Sequence, residues 1–505
     1  MSTHMTQPGA LERLPTGING FDEVALGGLP LGRPALVTGT TGTGKTLFAV
    51  EFLAHGIGRF GQPGVFVTFE ERPADIRRNF SSLGFPIEQW ESEGKWAFVD
   101  AAADLMDEAP VAGSYDFGAL VARIELAVSQ VGAHRVSLDA LDSIFTRYTE
   151  TATIRHELHR IALSLANLGV TAVVTGERTE DYDGVSKHAV EEFVLDNVII
   201  LRNVLSRERR RRTIEIVKFR GAPHRTGEWL FTIDPQHGLT VIPLAFLSAP
   251  AMPASPLRVS SGNPELDQMC GGGFFKDAVV LLTGPNGAGK TLASLRFLQA
   301  GIAAGERGLA FTFDENREQV RRNAAGWGLD LDEAEESGKL RFVCDYPHVK
   351  SPEDQFLTIR HAIEDFAPGR LVIDTLSALE RAAAPRVLLD FMIALGAVVR
   401  QRGITTLLTS TAAGWLGQQI AGLTDLVITI RYAERDGDIQ RAIAVTQSRG
   451  AAHDSRVRQV TIDEHGMHIG EPVTDFVHIL ADGYTWPIPD GRGNQPGSED
   501  LGPDG

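Results

Sequence analysis

The sequence predicts an α/β protein in which one domain is used twice. Each copy is a mainly parallel sheet flanked by helices, with an antiparallel hairpin at its edge. Three observations predict it. The chain has 505 residues, and single cores stop growing near roughly 250–300 residues. Four motifs recur in the same order in the two halves. Within each half, apolar runs of strand length alternate with helix-length amphipathic runs, the pattern of a parallel sheet covered by crossover helices.

Composition sets the class. Hydrophobic residues make up 43% and charged residues 22%, as in ordinary globular chains. Lys and Arg number 48 against 65 Asp and Glu, a net charge of −17. Such a field repels phosphate backbones and weighs against a nucleic-acid partner. No apolar run approaches the ~20 residues that span a bilayer, and the start, MSTHMTQPGALERLPTG, lacks the blocks of a secretory leader. Two cysteines, Cys270 and Cys344, provide neither a disulfide framework nor a Cys-rich metal site. The expectation is a soluble cytoplasmic protein with no membrane partner.

The repeat is read from four ordered pairs: LVTGTTGTGKTL with LLTGPNGAGKTL, VFVTFEERPADI with LAFTFDENREQV, HRVSLDALDSIF with GRLVIDTLSALE, and KFRGAPH with QSRGAAH. Spacing is nearly kept. Lys45 to Glu70 is 25 residues and Lys290 to Asp314 is 24. Lys45 to Asp139 is 94 and Lys290 to Asp374 is 84. The division expected is an unstructured start at 1–10, a first domain at 11–246, a linker at 247–256 (LSAPAMPASP), a second domain at 257–481, and an acidic Gly/Pro-rich disordered tail at 482–505.

Taken in order, the first half opens with the strand PALVTG, a glycine-rich loop and a helix. The strands GVFVTF, RVSLD and TAVVTG follow, the last preceded by the helical run TIRHELHRIALSLANLG. VIILRNVL and TIEIVKFRG then flank the basic run RERRRR, which predicts a hairpin with a charged turn at the sheet edge.

GTTGTGKT (Gly39, Thr40, Thr41, Gly42, Thr43, Gly44, Lys45, Thr46) and GPNGAGKT (Gly284, Pro285, Asn286, Gly287, Ala288, Gly289, Lys290, Thr291) both fit G-x-x-x-x-G-K-[ST] between a strand and a helix. Backbone N–H groups there curl around phosphate oxygens, and the helix N-terminus adds positive potential. Lys45 and Lys290 are expected on the β- and γ-phosphates of ATP, and Thr46 and Thr291 on Mg²⁺. Asp139 and Asp374 end apolar strands, where a carboxylate can hold the Mg²⁺ shell through water. Hydrolysis needs a group that orients or deprotonates water. Glu70 and Glu71, which end a strand expected beside the P-loop strand, are the candidates, with Asp314 and Glu315 their counterparts. Lys218, Arg220 and His224 lie on the hairpin, far from their own P-loop, and suit a neighbouring subunit's nucleotide.

These motifs, together with EEFVLDNVIILRNVLSRERRRRTIEIVKFRG, RRNAAGWGLDL and RAIAVTQSRGAAHD, closely resemble the KaiC proteins, clock ATPases of the RecA/DnaB superfamily, over about residues 11–470. The resemblance implies two tandem RecA-like domains and a homohexamer of two stacked rings with ATP and Mg²⁺ at subunit interfaces. It implies a first ring that hydrolyses ATP through Glu70 and Glu71, and a second that autophosphorylates a Ser/Thr pair. It places Lys218, Arg220 and His224, and in the second lobe Arg441, Arg449 and His453, on ATP across the interface, and suggests a KaiB-like or signalling partner. The chain departs from the pattern where Ala421 and Gly422 replace the acceptor pair, Asp314 shortens one glutamate, and Gln447 replaces the interface lysine. Three further readings stay open: an autokinase with a displaced acceptor, a DNA-acting RecA/DnaB-like motor, and a signalling scaffold.

Overall fold

The computed structural model describes residues 11–101, 117–140, 143, 151–182, 194–206, 209–234, 238–242, 255–345, 351–382, 385–411, 419–435, 438–473, 478–481 and 484–487. The expected unstructured start, the linker positions 247–254, the residues from 488 onward, and Arg207 and Glu208 of the basic run lie outside them. The chain divides into two compact units, Met1–Pro243 and Leu244–Gly505.

In the first unit, β1 (Arg13–Leu14) and β2 (Leu29–Pro30) form a short antiparallel ribbon. The main sheet holds β3 (Pro34–Gly39), β4 (Gly64–Thr68), β5 (Trp96–Asp100), β6 (Arg135–Asp139), β7 (Thr171–Glu177), β8 (Asn197–Ser206), β9 (Arg209–Phe219), β10 (Glu228–Asp234) and β11 (Gly238–Ile242). Their order is β11-β10-β9-β8-β3-β7-β6-β4-β5. The run from β8 to β5 is parallel, and β9, β10 and β11 add on antiparallel. Strand side chains alternate between faces. Ala35 and Val37 join the cluster under the helix Lys45–Phe60, while Leu36 joins the cluster with Leu120 and Ile124 of the helix Phe117–Val131. This two-sided burial explains why the strands read as unbroken apolar runs.

The second unit repeats the plan. β12 (Arg258–Val259) and β13 (Phe274–Phe275) form the ribbon. β14 (Val279–Thr283), β15 (Gly308–Thr312), β16 (Leu340–Cys344), β17 (Arg370–Asp374), β18 (Thr405–Ser410), β19 (Leu426–Arg435), β20 (Asp438–Ser448), β21 (Arg458–Asp463) and β22 (Gly466–Pro472) run in the order β16-β15-β17-β18-β14-β19-β20-β21-β22. That is the order of the first sheet, strand for strand.

Three expectations are corrected. The strand before Glu70 is not beside the P-loop strand, because β7 and β6 stand between β4 and β3. The β8–β9 hairpin is not the sheet edge, since β10 and β11 continue beyond it. The segment from 482 is not wholly without structure. β24 (Tyr484–Pro487) pairs with β23 (His478–Ala481), and β23 pairs with β19 at Tyr432–Glu434, beyond the end of the β14 pairing.

A buried arginine ties each unit's core to its P-loop helix. Arg135 and Arg370, fully buried at the starts of β6 and β17, donate to the backbone carbonyls of Phe52 (2.9 Å) and Phe297 (2.7 Å). Arg135 also reaches Pro15 O and Gln62 Oε1, and Arg370 reaches Ser260 O and Glu306 Oε2. Each guanidinium lies over a phenylalanine ring of the same helix, Phe52 or Phe297, adding cation–π attraction to the hydrogen bonds. Gly56 and Gly301 make room for them. A Cβ on Gly56 would sit 2.4 Å from Arg135 Cδ, and one on Gly301 2.3 Å from Arg370 Cδ.

Candidate nucleotide site

The second unit holds a cavity of about 500 Å³ at the C-terminal ends of its parallel strands, the position where open α/β sheets take ligands. Its walls include Asn286, Gly287, Gly289, Lys290 and Thr291 of the P-loop, Thr312, Asp314, Glu315, Asn323, Trp327, Asp374, Thr375, Thr411, Arg441 and Ile462. The loop bends where Gly287 (φ 76°) and Gly289 (φ 103°) take left-handed backbone, a conformation open to glycine at little cost. Gly284 is needed for a different reason: a Cβ there would meet Ile430 O at 2.7 Å. Lys290 Nζ donates to Gly284 O (2.8 Å) and Pro285 O (2.9 Å), so its ammonium spans the loop where phosphate oxygens would replace the carbonyls. Pro285 and Ala288 complete the loop, and Ala288 is buried in the core.

Asp374 accepts from Thr291 Oγ1 at 2.7 Å and from Thr409 Oγ1 at 2.5 Å. The P-loop hydroxyl and the strand-end carboxylate expected to share Mg²⁺ are therefore in contact. This all-oxygen donor pair fits Mg²⁺, which is held by one or two protein groups plus substrate phosphates. Glu315 has its carboxyl pushed up by burial and by the Asp374 charge, and Asn323 Nδ2 donates to it at 3.0 Å. Asp314, the shortened acid, is bound by Arg381 at 2.7 Å.

The first unit assembles the same groups. Lys45 Nζ donates to Gly39 O (2.9 Å) and Thr40 O (3.0 Å). Thr43 Oγ1 turns back to Thr40 O, and Gly42 (φ 78°) and Gly44 (φ 102°) make the left-handed bends. A Cβ on Gly39 would strike Leu201 O. Asp139 is buried, accepts from Thr175 Oγ1 at 2.5 Å, and is also hydrogen-bonded by Thr46. Burial pushes its carboxyl up, while those two hydroxyls and Lys45 oppose the shift and the Glu70 charge adds to it. β4 lies against β6, so Phe69 N bonds Asp139 O, and Glu70 comes within electrostatic reach of Asp139 despite the corrected strand order. Glu70 accepts from Ser143 Oγ at 2.5 Å and Glu71 from Asn79 Nδ2 at 3.3 Å. Asn79 and Asn323 match, which makes Glu71 the equivalent of Glu315.

The family model described as "ATPase: KaiC" matches residues 14–245 and 259–474, one match per unit. The chain belongs to the KaiC family of ATPases. It is 47% identical over 477 residues to the circadian clock protein KaiC3 of Synechocystis sp., covering 93% of this chain and 94% of that one. It is 44% identical to the circadian clock oscillator protein KaiC of Thermostichus vulcanus (93% and 91% covered) and 42% identical to that of Synechococcus elongatus (95% and 94%). The RecA-like tandem fold, nucleotide binding and ATPase class expected from the sequence thus stand. No described helix is long and apolar enough to cross a membrane.

KaiC membership leaves the cations to be placed. Arg441, expected on ATP across an interface, donates through Nε to Gly287 O of its own P-loop at 3.2 Å and lines its own unit's cavity. Tyr432, its cross-strand partner on β19, donates to Asn286 O at 3.0 Å. Lys218 Nζ donates to Leu195 O, Arg220 pairs with Asp196 at 2.9 Å, and the His224 ring packs edge-on against Phe219. Gln447 donates to Ala421 O and Thr424 O, and Arg449 to Gly422 O at 2.6 Å. His453 is half-buried in the loop after β20.

Sequence reading missed Thr175 and Thr409, Asn79 and Asn323, Trp327, Tyr432 and Ile462, and took Thr411, with Ser410 and Thr424, only as a hydroxyl near the missing acceptors. Only the first two pairs left a signal, as matched residues in the repeats TAVVTGE/TTLLTST and IRRN/VRRN.

Proposed function

We propose that this KaiC-family chain assembles as a homohexamer of two stacked rings, hydrolyses ATP with Mg²⁺ in the first ring, and binds ATP in the second chiefly to hold the assembly. It acts in the cytoplasm as a clock-like or signalling ATPase, with a KaiB-like or other signalling protein as partner. The relatives' names, which refer to the circadian clock, support that setting.

In each unit the P-loop lysine orients the polyphosphate, and Thr46 with Asp139, or Thr291 with Asp374, would hold Mg²⁺. Mg²⁺ supplies charge neutralisation at the phosphates when bound. In the first unit Glu70 and Glu71 take the water-orienting and proton-accepting role. In the second, Arg381 draws Asp314 into an ion pair, and Glu315, which also lines the cavity, would take that role.

The observation that carries the division of labour is the acceptor segment. Ala421 and Gly422 have no hydroxyl, and their carbonyls are taken by Gln447 and Arg449. Bracing of this kind is common to both units, since Lys218 bonds Leu195 O in the first, so the missing hydroxyls alone mark the difference. Turnover by the E70Q/E71Q double variant tests the first half of the reading. A fall of about a hundredfold or more is expected, and retained turnover would sink the assignment. Phosphopeptide mapping after incubation with ATP tests the second half, with an unphosphorylated 419–425 segment expected.

A further inference from the structure

The two units differ at one matched position beside the phosphate cradle. Thr175 on β7 and Thr409 on β18 are equivalent, each donating to the strand-end aspartate of its unit. Two residues further on stand Glu177 in the first unit and Thr411 in the second. Glu177 accepts from the P-loop hydroxyl of Thr41 at 2.8 Å. Thr411 lines the second unit's cavity together with Lys290, Thr291 and Asp374.

Thr411 is held for a purpose. Its Oγ1 lies 2.7 Å from Ser377 Oγ, and its backbone N–H donates to the same oxygen at 2.8 Å. Ser377 is buried, and its oxygen is 3.3 Å from Ser410 Oγ. Ser377 and Ser410 both bond the Glu380 carboxyl. This network fixes the Thr411 side chain at the cavity wall. A hydroxyl hydrogen turns freely about its C–O bond. In this structure Thr411 donates to Ser377, and Ser377 bonds Glu380; a phosphate oxygen in the cavity would draw the Thr411 hydrogen to itself, with Ser377 turning its own hydrogen from Glu380 to Thr411.

We propose that Thr411 is a terminal-phosphate ligand that makes the second unit's pocket prefer a nucleoside triphosphate to a diphosphate, a contact that Glu177 denies the first unit. Rested on the reading that the second unit binds ATP, this names what the pocket discriminates. A hydroxyl donating to a charged phosphate oxygen is a strong hydrogen bond. A carboxylate at the same place would face the γ-phosphate with like charge.

The test uses the full chain and reads the second unit alone. Trp327 lines that cavity, so the emission difference between the chain and W327F reports its occupancy. Titrations with ATPγS and with ADP are compared in the presence of Mg²⁺. T411V is expected to weaken ATPγS by about tenfold or more and ADP by less than about twofold. T411S should keep the preference, and T411E should lose at least as much as T411V. S377A, which only frees the Thr411 rotamer, should lose part of the ATPγS affinity alone and serves if T411V folds poorly. Equal loss for both nucleotides, or no loss for either, overturns the proposal. A chain with no Trp327-dependent response to either nucleotide would sink the second-unit nucleotide reading, and the proposal with it.

Discussion

At the scale of single residues, Glu51 sits in a place that carboxylates rarely occupy. It lies on the P-loop helix Lys45–Phe60, wholly buried, with Oε1 accepting from Leu239 N at 2.8 Å. Burial pushes its carboxyl up to about 8, against the pull of that hydrogen bond and of Arg59. His55, one turn away, is pushed down to about 4 by burial and by Arg59 and Arg135. Near pH 7 both are therefore neutral in the folded chain, and their 3.9 Å contact is not an ion pair. The sign of the pH dependence follows. The folded Glu51 keeps its proton where the unfolded one, near 4.5, has lost it, so folding is favoured at low pH and this stability drains away as pH rises through about 8. Urea unfolding of the first unit should lose roughly 2–3 kcal/mol between pH 6 and pH 9. E51Q, which keeps the acceptor for Leu239, should flatten that slope. A wild-type slope that survives in E51Q would show that another group carries it. His55 acts in the opposite sense, as pH falls below about 6.5, and offsets only the low-pH end of the pH 6–9 window, by about 1 kcal/mol or less.

At the scale of elements, the P-loop helix shows why one glycine is required and its neighbour is not. Gly56 lies under the Arg135 guanidinium, which is anchored to Phe52 O, Pro15 O and Gln62. G56A should cost about 1–3 kcal/mol, since neither the backbone nor the arginine can give way. At Gly58 an added Cβ meets nothing within 4 Å, and its backbone is helical. G58A should therefore stabilise by about 0.5–1 kcal/mol. A thermal melt of the two variants checks the pair, and equal shifts would refute the packing argument.

The same scale shows what the sequence made legible. Strands buried on both faces announce themselves as apolar runs, and the P-loops sit where a strand gives way to a helix, so β3, β14 and the helices Lys45–Phe60 and Lys290–Ala303 were readable. Sheet order was not, because β4 pairs with β6 through backbone groups that any sequence supplies. Glu70 still arrives near Asp139, since neighbouring parallel strands end at the same level. The approach of Arg441 to its own P-loop was not legible, because it depends on the cross-strand pairing with Tyr432 that sets both residues beside the loop. Trp327 and Ile462 were invisible for a similar reason: each reaches the cavity from an element remote in sequence.

At the scale of the whole molecule, duplication gives each unit its own core. Phe48, Phe52 and Trp96 are packed in one cluster of the first unit, and Phe274, Phe297 and Leu298 in that of the second. Each core is crossed by its own buried arginine and capped by its own P-loop. The two clusters are built from residues of different units. Scanning calorimetry of the full chain should accordingly resolve two transitions. G56A should lower one of them and G301A the other, since the added methyls meet Arg135 and Arg370 respectively. Nucleotide adds a second handle. A ligand present at about 100 times its dissociation constant stabilises the unit that binds it by about 2.7 kcal/mol. K45A should therefore abolish the ATP-induced shift of the transition that G56A lowers and leave the other's shift intact, and K290A should do the reverse. If G56A and G301A instead lower every transition together, the two units unfold as one cooperative body. The division of labour would then rest on assembly contacts rather than on two separately stable domains.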